Sequence, residues 1–387
     1  MQLNELSQEG AYIYLERFVN NPKYSKFAQY SETLKEYHPR FGNEQILIPY
    51  NFCRKVKLMM AYPDEKILSE FVNKGIPFFS HPQFSKEIPD GFVKASPTAS
   101  TRSVLIDDKP YFIKLHFPAR ISRFNRRLTE NSVEHSILIS SDIEESLSSA
   151  PKTFAYLPES IGIIHKEGHG CIIREKTPRP LVKEKRALIP FFALYSKDPS
   201  KQEQNPLLVQ LIKNSNSKPL QFFIDKIVHP FLECWIWFAK NRGILLESHC
   251  QNTLLELDMN FKPTRIVYRD FQSIMVDAEI RKQKNLEIPF KKHIIGSSSD
   301  PFPKEQEYSI VYDHFVAHYV FPFFTECLNE YFNIPETETQ NAIKQKFNEL
   351  FPDSREYFPE NEYKLEDQIF ENNEVKLVDT NEKPKFR

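Results

Sequence analysis

The chain has 387 residues, enough for one large core or two domains, and its net charge of −1 gives no overall field that would attract nucleic acid. Aromatic residues make up 13% of it, with 33 Phe and 17 Tyr, which favours a packed globular protein over a disordered one. It has only nine glycines and neither a GxGxxG nor a GxxxxGK[ST] motif, which weighs against Rossmann and P-loop nucleotide sites.

The cysteines and the apolar runs indicate the compartment. The five cysteines form no CxxC pair and have no zinc-site spacing, as expected of reduced thiols. The first residues lack the basic and apolar regions of a signal peptide, and the longest apolar runs, such as residues 189–195, are too short to span a bilayer. We therefore expect a cytoplasmic protein that binds neither membranes nor nucleic acid.

The first 75 residues carry two amphipathic patterns, at Ala11 to Asn20 and at Asn51 to Tyr62, separated by Tyr- and Pro-containing breaks. Apolar residues at helical spacing predict helices there. No catalytic motif occurs in this part, so it is interpreted as a helical cap.

From Ile76 the pattern changes to strands and turns. His81, which precedes a proline, is either a substrate contact or, more commonly for a loop histidine, simply solvated. Two short strands, at residues 104–106 and 111–117, flank a turn at residues 107–110 and predict a hairpin. Pairing about that turn sets Ser103 opposite Lys114.

This hairpin gathers hydroxyl and cationic side chains. Arg102 lies beside Ser100 and Ser103, and a basic run follows that consists of Arg120, Arg123, Arg126 and Arg127. An Arg fork and a Lys point charge together suit the phosphates of a nucleotide. The alternative is a solvated basic face, which we favour for Arg120, Arg123 and Arg127.

The middle and end of the chain are mainly helical in pattern. Residues 170–175 predict a strand, and residues 187–213, 308–320 and about 336–350 predict helices. A further helix has an apolar stripe through Trp235 and ends at Gly243, a C-cap glycine. Residues 291–304 form a polar loop in this interpretation, and the charged stretch from about residue 353 is expected to end in a mobile tail.

A second hairpin is predicted from residues 253–258 and 265–268, with a turn at residues 259–263. Asn252 and Asp270 are equidistant from its centre, so we expect them to face each other, with His249 close by. An amide, a carboxylate and an imidazole suit Mg²⁺ and a phosphate chain. An ordinary hairpin with a polar rim is equally compatible with this spacing.

Six short motifs occur in a fixed order: Ser100-Thr101-Arg102-Ser103, Lys114, Ile121-Ser122 with Arg126, Arg174-Glu175, Glu247-Ser248-His249-Cys250-Gln251-Asn252, and Arg269-Asp270-Phe271-Gln272. Each is weak alone, but as a series over residues 76 to about 335 they resemble the NRPS-independent siderophore (NIS) synthetases of the aerobactin-synthetase (IucA/IucC) family. Members are ATP-dependent ligases that adenylate a carboxylate, usually citrate or a derivative. They pass the acyl group to an amine or hydroxylamine.

The resemblance implies an α+β fold shaped as a cupped hand, with antiparallel hairpins and a largely helical, distantly kinase-like palm. Residues 1–75 would form a reduced helical thumb and residues 76–180 the β-rich fingers that bind the ATP phosphates. Residues 181–352 would form the palm with the catalytic motifs, and residues 353–387 a charged C-terminal segment that is partly mobile. A homodimer is compatible with the resemblance.

The resemblance also implies roles for particular residues. ATP would be bound by Ser100, Arg102, Ser103, Lys114, Arg126, His249 and Asn252. The catalytic residues would be His249, Gln251 and Arg126, and Mg²⁺ would be held by Asn252 and Asp270.

Two departures from the family pattern leave alternatives open. The part before His81 is shorter than in the family, so the thumb is reduced and citrate as the substrate is uncertain. Cys250 and Ser273 stand where the family has glycine, whereas Ser103 and Ser122 replace threonine and keep the hydroxyl. The alternatives are a kinase-like phosphotransferase, since His-x-x-Asn and a downstream Asp also serve phosphoryl transfer, or an ATP-binding protein without turnover.

Overall fold

A computed structural model of the chain describes residues 1–20, 32–72, 75–121, 124–290, 302–365 and 377–387. The predicted α+β class is confirmed, since antiparallel sheets and helices both contribute to the fold. The strands are β1 Ile46–Phe52, β2 Val56–Met60, β3 Pro77–Phe79, β4 Gly91–Pro97, β5 Ser103–Ile106, β6 Tyr111–Lys114, β7 Phe117–Ile121, β8 Phe124–Arg126, β9 Phe154–Tyr156, β10 Glu159–His165, β11 Gly170–Glu175, β12 Ala187–Pro190, β13 Ile244–Leu245, β14 Thr253–Leu257, β15 Pro263–Tyr268, β16 Met275–Val276, β17 Tyr363–Leu365 and β18 Leu377–Asp379.

Most of the helices lie in the second half of the chain. The α-helices are α1 Ala11–Arg17, α2 Glu65–Val72, α3 Glu130–Ser146, α4 Phe191–Tyr195, α5 Leu207–Ser215, α6 Pro219–Phe223, α7 His229–Arg242, α8 Ala278–Gln283, α9 Lys304–Ser309, α10 Phe321–Phe332 and α11 Glu336–Leu350. Single π-helical segments, Ile224–Val228 and Ile310–Ala317, continue α6 and α9, and 3₁₀ turns occupy Leu3–Ser7, Lys35–Tyr37, Pro82–Phe84 and Ser354–Glu356.

The larger sheet is antiparallel, with the strand order β2-β10-β11-β6-β5-β4-β1-β3. Alternate side chains along each strand face opposite sides, so both faces need cover. Val133 and Ile137 of α3 pack with Ile172 on one face, and Phe71 of α2 packs with Ile113 on the other. This packing fixes the central strands β6 and β11, on which site residues lie.

A smaller sheet, of order β12-β14-β15-β9, joins the helical part of the chain. Trp235 of α7 is fully buried there, and its indole Nε1 donates to the carbonyl of Leu246 at 3.0 Å. Gly243 ends α7 in the left-handed conformation with φ 60°, as the sequence predicted for a C-cap glycine. The chain then turns directly into the segment that precedes β14.

Two helix predictions were wrong. Residues 51–62, expected to be helical, contain the end of β1 and all of β2, and the segment at 187–213 begins with strand β12. Val56, Leu58 and Met60 alternate in the sequence, and β2 pairs along its length with β10. The spacing of apolar residues in β2 is compatible with a helix or a strand, and the pairing with β10 selects the strand.

Strands β1 and β2 belong to the same sheet as β4 to β6, so the predicted boundary at residue 75 falls between strands of one sheet.

The segment after residue 376 is attached to the rest of the protein at its last two residues. Phe386 is buried with its ring centroid 5.3 Å from that of Phe321, and Arg387 Nε donates to Asp313 Oδ1 at 2.8 Å. The segment that we expected to be partly mobile is thus held at these two residues. Within the described part of the chain, no helix has the length and apolar character needed to cross a bilayer.

Candidate functional site

The first hairpin predicted from the sequence forms with the predicted register. β5 and β6 pair so that Ser103 lies opposite Lys114. The Lys114 side chain is only 1% exposed, and its Nζ lies 2.5 Å from Asp270 Oδ1 and 3.7 Å from Glu159 Oε1. Asp270 follows β15, so Lys114 connects the larger sheet to the edge of the smaller one.

Glu159, the first residue of β10, is the centre of this buried network. Arg174 NH2 donates to Glu159 Oε1 at 2.5 Å, and the Phe271 backbone N–H donates to Oε2 at 3.3 Å. The Ser136 hydroxyl donates to Oε2 as well. Arg174 also lies 3.6 Å from Asp270 Oδ2, so two cations and two carboxylates form one cluster.

The carboxylates of this cluster are ionised. Burial by itself opposes ionisation of Asp270, but Lys114, Arg174 and Arg102 together hold the pKa of this carboxyl well below its ordinary value. Glu159 follows the same pattern: burial opposes its charge, and Lys114 and Arg174 lower its pKa. Burial lowers the pKa of Lys114, while Asp270 and Glu159 act against that shift.

Replacing Glu159 by Ala is expected to destabilise the protein by about 3–5 kcal/mol, because two buried cations then lose a common partner. Urea denaturation followed by fluorescence measures the change as a lower midpoint. Glu360→Gln is the control, because Glu360 lies on the surface in an exposed pair with Lys383 and its loss should leave the midpoint nearly unchanged. Equal midpoints for Glu159→Ala and the native protein would contradict this account of the cluster.

Arg102 adds a positive charge that forms no ion pair with a carboxylate of the described residues. Its guanidinium is 5% exposed and donates to two neutral oxygens, the Arg126 carbonyl at 3.0 Å and Gln272 Oε1 at 2.9 Å. Among the described residues, no carboxylate oxygen lies within 4 Å of it. Burial and the neighbouring Arg126 charge lower the pKa of Arg102 to about 10, so it remains a cation at neutral pH. The site therefore has a surplus of positive charge, which suits a polyanionic ligand.

His249 lies in the segment before β14. Its Nδ1 accepts the Gln251 backbone N–H at 3.1 Å, so the proton of the neutral ring is on Nε2. Burial lowers the pKa of His249 to about 4, and the positive charge of Arg126 acts in the same direction. At neutral pH His249 is therefore an uncharged Nε2–H donor.

Glu247 accompanies His249, with its Oε1 3.6 Å from His249 Nε2. Burial, followed by the nearby charge of Asp270, raises the pKa of Glu247 to about 8. Glu247 is thus largely protonated at neutral pH. The site combines ionised groups around Lys114 with neutral hydrogen-bonding groups around His249.

The second hairpin forms, but its register differs from the prediction by one residue. Thr253 pairs with Tyr268, and the Arg269 backbone N–H donates to the Asn252 carbonyl at 3.0 Å, so Arg269 rather than Asp270 lies opposite Asn252. The turn is centred on Asn260, one residue earlier than predicted, since the Asp258 N–H donates to the Lys262 carbonyl and Leu257 pairs with Pro263. An irregularity between Glu256 and Leu257 then shifts the pairing by one residue. Asp270 follows in the left-handed conformation with φ 71°, and its side chain keeps 29% exposure.

The other residues that the sequence predicted for the site differ in how far they are buried. Ser103 and Asn252 are buried, whereas Ser100, Arg126 and Gln251 are half-buried. Arg120 and Arg127 are exposed, in agreement with a solvated basic face, and Ser122 and Arg123 lie outside the described residues.

His81 is not a solvated loop residue. It is 1% exposed, and its ring packs edge-on against that of Phe117 with centroids 4.8 Å apart.

Two parts of the network were missed by the sequence interpretation. Glu159 is a lone carboxylate at the start of an apolar strand, and that isolation was the available signal. The second is the ion pair of Arg269 with Glu16 of α1, at 2.6 Å, beside a hydrogen bond from Arg269 to the Tyr12 hydroxyl at 2.5 Å. These contacts join residues more than 250 positions apart, so the sequence gives no local sign of them.

Comparison with solved structures identifies the fold. The petrobactin biosynthesis protein AsbB from Bacillus anthracis matches with a TM-score of 0.68 and 17% identity, over 91% of this chain and 70% of that one. The ATP-bound aerobactin synthetase IucA from a hypervirulent pathotype of Klebsiella pneumoniae matches with a TM-score of 0.65 and 14% identity, over 91% and 74%. The chain therefore has the fold of siderophore synthetases.

Sequence comparison finds two matching family models and two curated relatives. The model of the IucA / IucC family matches residues 86–196, and the model described as ferric iron reductase FhuF-like transporter matches residues 221–374. Staphyloferrin A synthase from Staphylococcus aureus is 25% identical over 268 residues, which are 67% of this chain and 44% of that protein. The L-2,3-diaminopropanoate–citrate ligase of the same species is 26% identical over 247 residues, 57% of this chain and 40% of the ligase.

These matches confirm the resemblance predicted from the six motifs: the chain is related to the NIS synthetases of the IucA/IucC type. It spans less than half the length of the two curated relatives.

Proposed function

We propose that this protein is an ATP-dependent ligase that adenylates a carboxylate and condenses it with an amine or hydroxylamine, as in siderophore biosynthesis. The carboxylate would be citrate-like or another polycarboxylate. The observation that carries the proposal is the surplus positive charge around Arg102 and Lys114 beside the neutral donor His249. The names of the relatives support it, since one is a citrate ligase and one a siderophore synthase.

The residues of the first hairpin would bind the phosphates of ATP. Arg102 supplies a buried fork of donors and Lys114 a buried charge. The Ser103 hydroxyl lies on the same hairpin, and Ser100 lies in the turn that leads into β5. Arg126 would add a further cation. It lies next to Arg102, since its backbone carbonyl accepts a hydrogen bond from the Arg102 guanidinium. Charge-assisted contacts of this kind are the strongest that a protein makes to phosphate oxygens.

The chemistry of Asp270 and Asn252 fits Mg²⁺. A carboxylate and an amide oxygen are the hard ligands that Mg²⁺ prefers, and the ion usually takes one or two carboxylates and completes its shell with phosphates and water. The Asp270 carboxyl remains ionised, and its 29% exposure leaves part of it accessible from solvent. When bound, the ion would neutralise charge on the departing pyrophosphate.

In the proposed reaction the substrate carboxylate attacks the α-phosphorus of ATP, the bond to pyrophosphate breaks, and an acyl-adenylate forms. The amine then attacks the acyl carbon and AMP leaves. His249 Nε2–H, Gln251 and Arg126 would donate to the oxygens on which charge develops. Donors fixed in place before the reaction stabilise such charge most effectively, and the Gln251 backbone bond to Nδ1 fixes the His249 ring in this way.

The division into thumb, fingers and palm is part of the same proposal. The fingers would carry Lys114, and a palm with a distant likeness to kinases would carry His249 and Asp270. Strands β1 and β2 pair within the sheet of the fingers, so the fingers would also include residues 46–60.

The products of the reaction test the function. The protein is incubated with ATP, Mg²⁺ and a panel of polycarboxylates with polyamines or hydroxylamines, and the expected products are AMP and pyrophosphate. Release of ADP and phosphate would place the chemistry at the γ-phosphorus and favour a kinase-like phosphotransferase. ATP binding without either product would favour a non-catalytic ATP-binding protein.

Arg102→Ala is expected to weaken ATP binding by about 1.5–3 kcal/mol, the range for a hydrogen bond to a charged group. This corresponds to roughly 10- to 150-fold in Kd, which isothermal titration calorimetry measures directly. Arg120→Ala is the matched control, because Arg120 is exposed and should not contribute. An unchanged Kd for Arg102→Ala would exclude this residue from the nucleotide site.

A further inference from the structure

The turn between β10 and β11 brings together a set of metal-ligating side chains outside the site described above. His165, Glu167 and His169 each place one ligand atom within 4.8 Å of the other two. The sequence spacing, two histidines four residues apart with a glutamate midway between them, occurs on a hairpin turn rather than on a helix.

The backbone of this turn is held at several points. The His165 N–H donates to the His169 carbonyl at 2.7 Å, and the Gly168 N–H donates to the His165 carbonyl at 2.9 Å. Gly168 has φ 77°, a conformation in which glycine carries little strain. The Gly170 N–H donates to the carbonyl of Leu128, at the start of α3. The three side chains therefore extend from a fixed frame, so little order must be created when a ligand binds.

The two imidazole rings are also positioned by packing. Phe78 of β3 contacts both of them, with ring centroids 5.1 Å from His165 and 5.5 Å from His169. The rings of His165 and His169 are themselves 5.3 Å apart. Glu167, by contrast, is largely exposed, so the cluster opens to solvent on the carboxylate side.

The separation of His165 Nδ1 from Glu167 Oε2 is 3.9 Å, too long for a hydrogen bond. Two ligands at about 2.0–2.2 Å from one tetrahedral ion are about 3.3–3.6 Å apart, so these two side chains would have to approach by only about 0.3–0.6 Å to share an ion. The ion would replace the long hydrogen bond that His165 Nδ1 accepts from the Glu167 backbone N–H at 3.4 Å. We propose that His165, Glu167 and His169 bind a divalent transition-metal ion of the zinc class. Two imidazoles and one carboxylate select such an ion over Mg²⁺ or Ca²⁺, which take oxygen ligands.

The ion would cross-link the two ends of the turn, and a fourth coordination position would remain for water or an external ligand. β11 continues from this turn to Arg174, and β6, which carries Lys114, is its neighbour in the sheet. Metal binding at the turn does not depend on the ligase activity, since none of the three ligands belongs to the proposed nucleotide site.

The test is titration of the full chain, without a histidine tag, with zinc chloride alone, followed by calorimetry. We expect one equivalent to bind and the thermal midpoint to rise. Glu167→Gln should weaken zinc binding by at least the roughly 10–100-fold that loss of an outer-shell partner costs, because a direct ligand is lost. This variant changes an exposed side chain, so its fold should be retained, and circular dichroism verifies it.

Lys166→Ala is the matched control on the same turn, and it should bind zinc as the native chain does. His165→Ala combined with His169→Ala should abolish the site. The proposal is overturned if the native chain binds no zinc, or if Glu167→Gln and the double variant bind it with native affinity. ATP affinity, measured on the same variants, should be unchanged, which separates this site from the proposed nucleotide site.

Discussion

We expect His249→Ala to slow the release of AMP and pyrophosphate by roughly 10²–10³-fold, the effect of removing one preorganised donor from developing charge. The structure gives the reason, since the bond from Gln251 N–H to Nδ1 places the proton of the neutral ring on Nε2. ATP binding should change little, because Arg102 and Lys114 supply the buried charge. The measurements are pyrophosphate release with a matching carboxylate and amine, and exchange of labelled pyrophosphate into ATP with the carboxylate alone.

His318→Ala is the control for this experiment, because His318 is half-exposed and paired with Glu362 at 2.9 Å, apart from the network around Lys114. Its rate should match the native rate. If His249→Ala weakened ATP binding as strongly as it slowed the reaction, His249 would be a binding residue and not a transition-state donor. If both rates remained native, His249 would have no part in the reaction.

The sequence predicted the local parts of the site well. The β5–β6 hairpin has a short turn with a clear signal between two apolar runs, so the pairing of Ser103 with Lys114 followed from symmetry about the turn. The C-cap at Gly243 and the strand Gly170–Glu175 were predicted for similar reasons. In each case the information lies within about a dozen residues.

The register of the second hairpin shows where such symmetry fails. The turn is centred on Asn260 rather than on Phe261, which by itself would set Tyr268 opposite Asn252, and the irregularity between Glu256 and Leu257 brings Arg269 to that position. A bulge adds a residue to one strand without changing the apolar character of either, so the pattern of residues does not reveal it. Even so, Asp270 reaches the site: it adopts the left-handed conformation itself, and its carboxylate lies against Lys114.

Burial was the property that the sequence indicated least. His81 stands in a loop pattern yet is buried. Cys250, which stands where the family has glycine, belongs to the hydrophobic core, and its carbonyl accepts the Phe192 N–H of α4. Both positions depend on elements far away in the chain, and only the assembled fold decides which side of the backbone faces the core.

Asp270→Asn is expected to abolish metal-dependent turnover while the protein remains folded. The substitution keeps the shape of the side chain but removes the negative charge that a hard cation requires. Lys114 retains Glu159 at 3.7 Å, and Arg174 retains its bond to Glu159 at 2.5 Å, so the cluster keeps a carboxylate. ATP in the absence of Mg²⁺ should bind the variant at least as tightly as the native protein, because one negative charge near the phosphates is gone.

Activity measured across a magnesium titration, together with the thermal midpoint and the affinity for metal-free ATP, separates a metal ligand from a structural counter-ion. A metal ligand predicts lost turnover at every magnesium concentration with undiminished binding of metal-free ATP. A counter-ion that only holds Lys114 in place predicts that binding and turnover fall together. Asp258→Asn is the control, since Asp258 caps the hairpin turn by accepting the Asn260 N–H at 2.8 Å and should leave turnover intact. Native turnover in Asp270→Asn would remove Asp270 from the metal site.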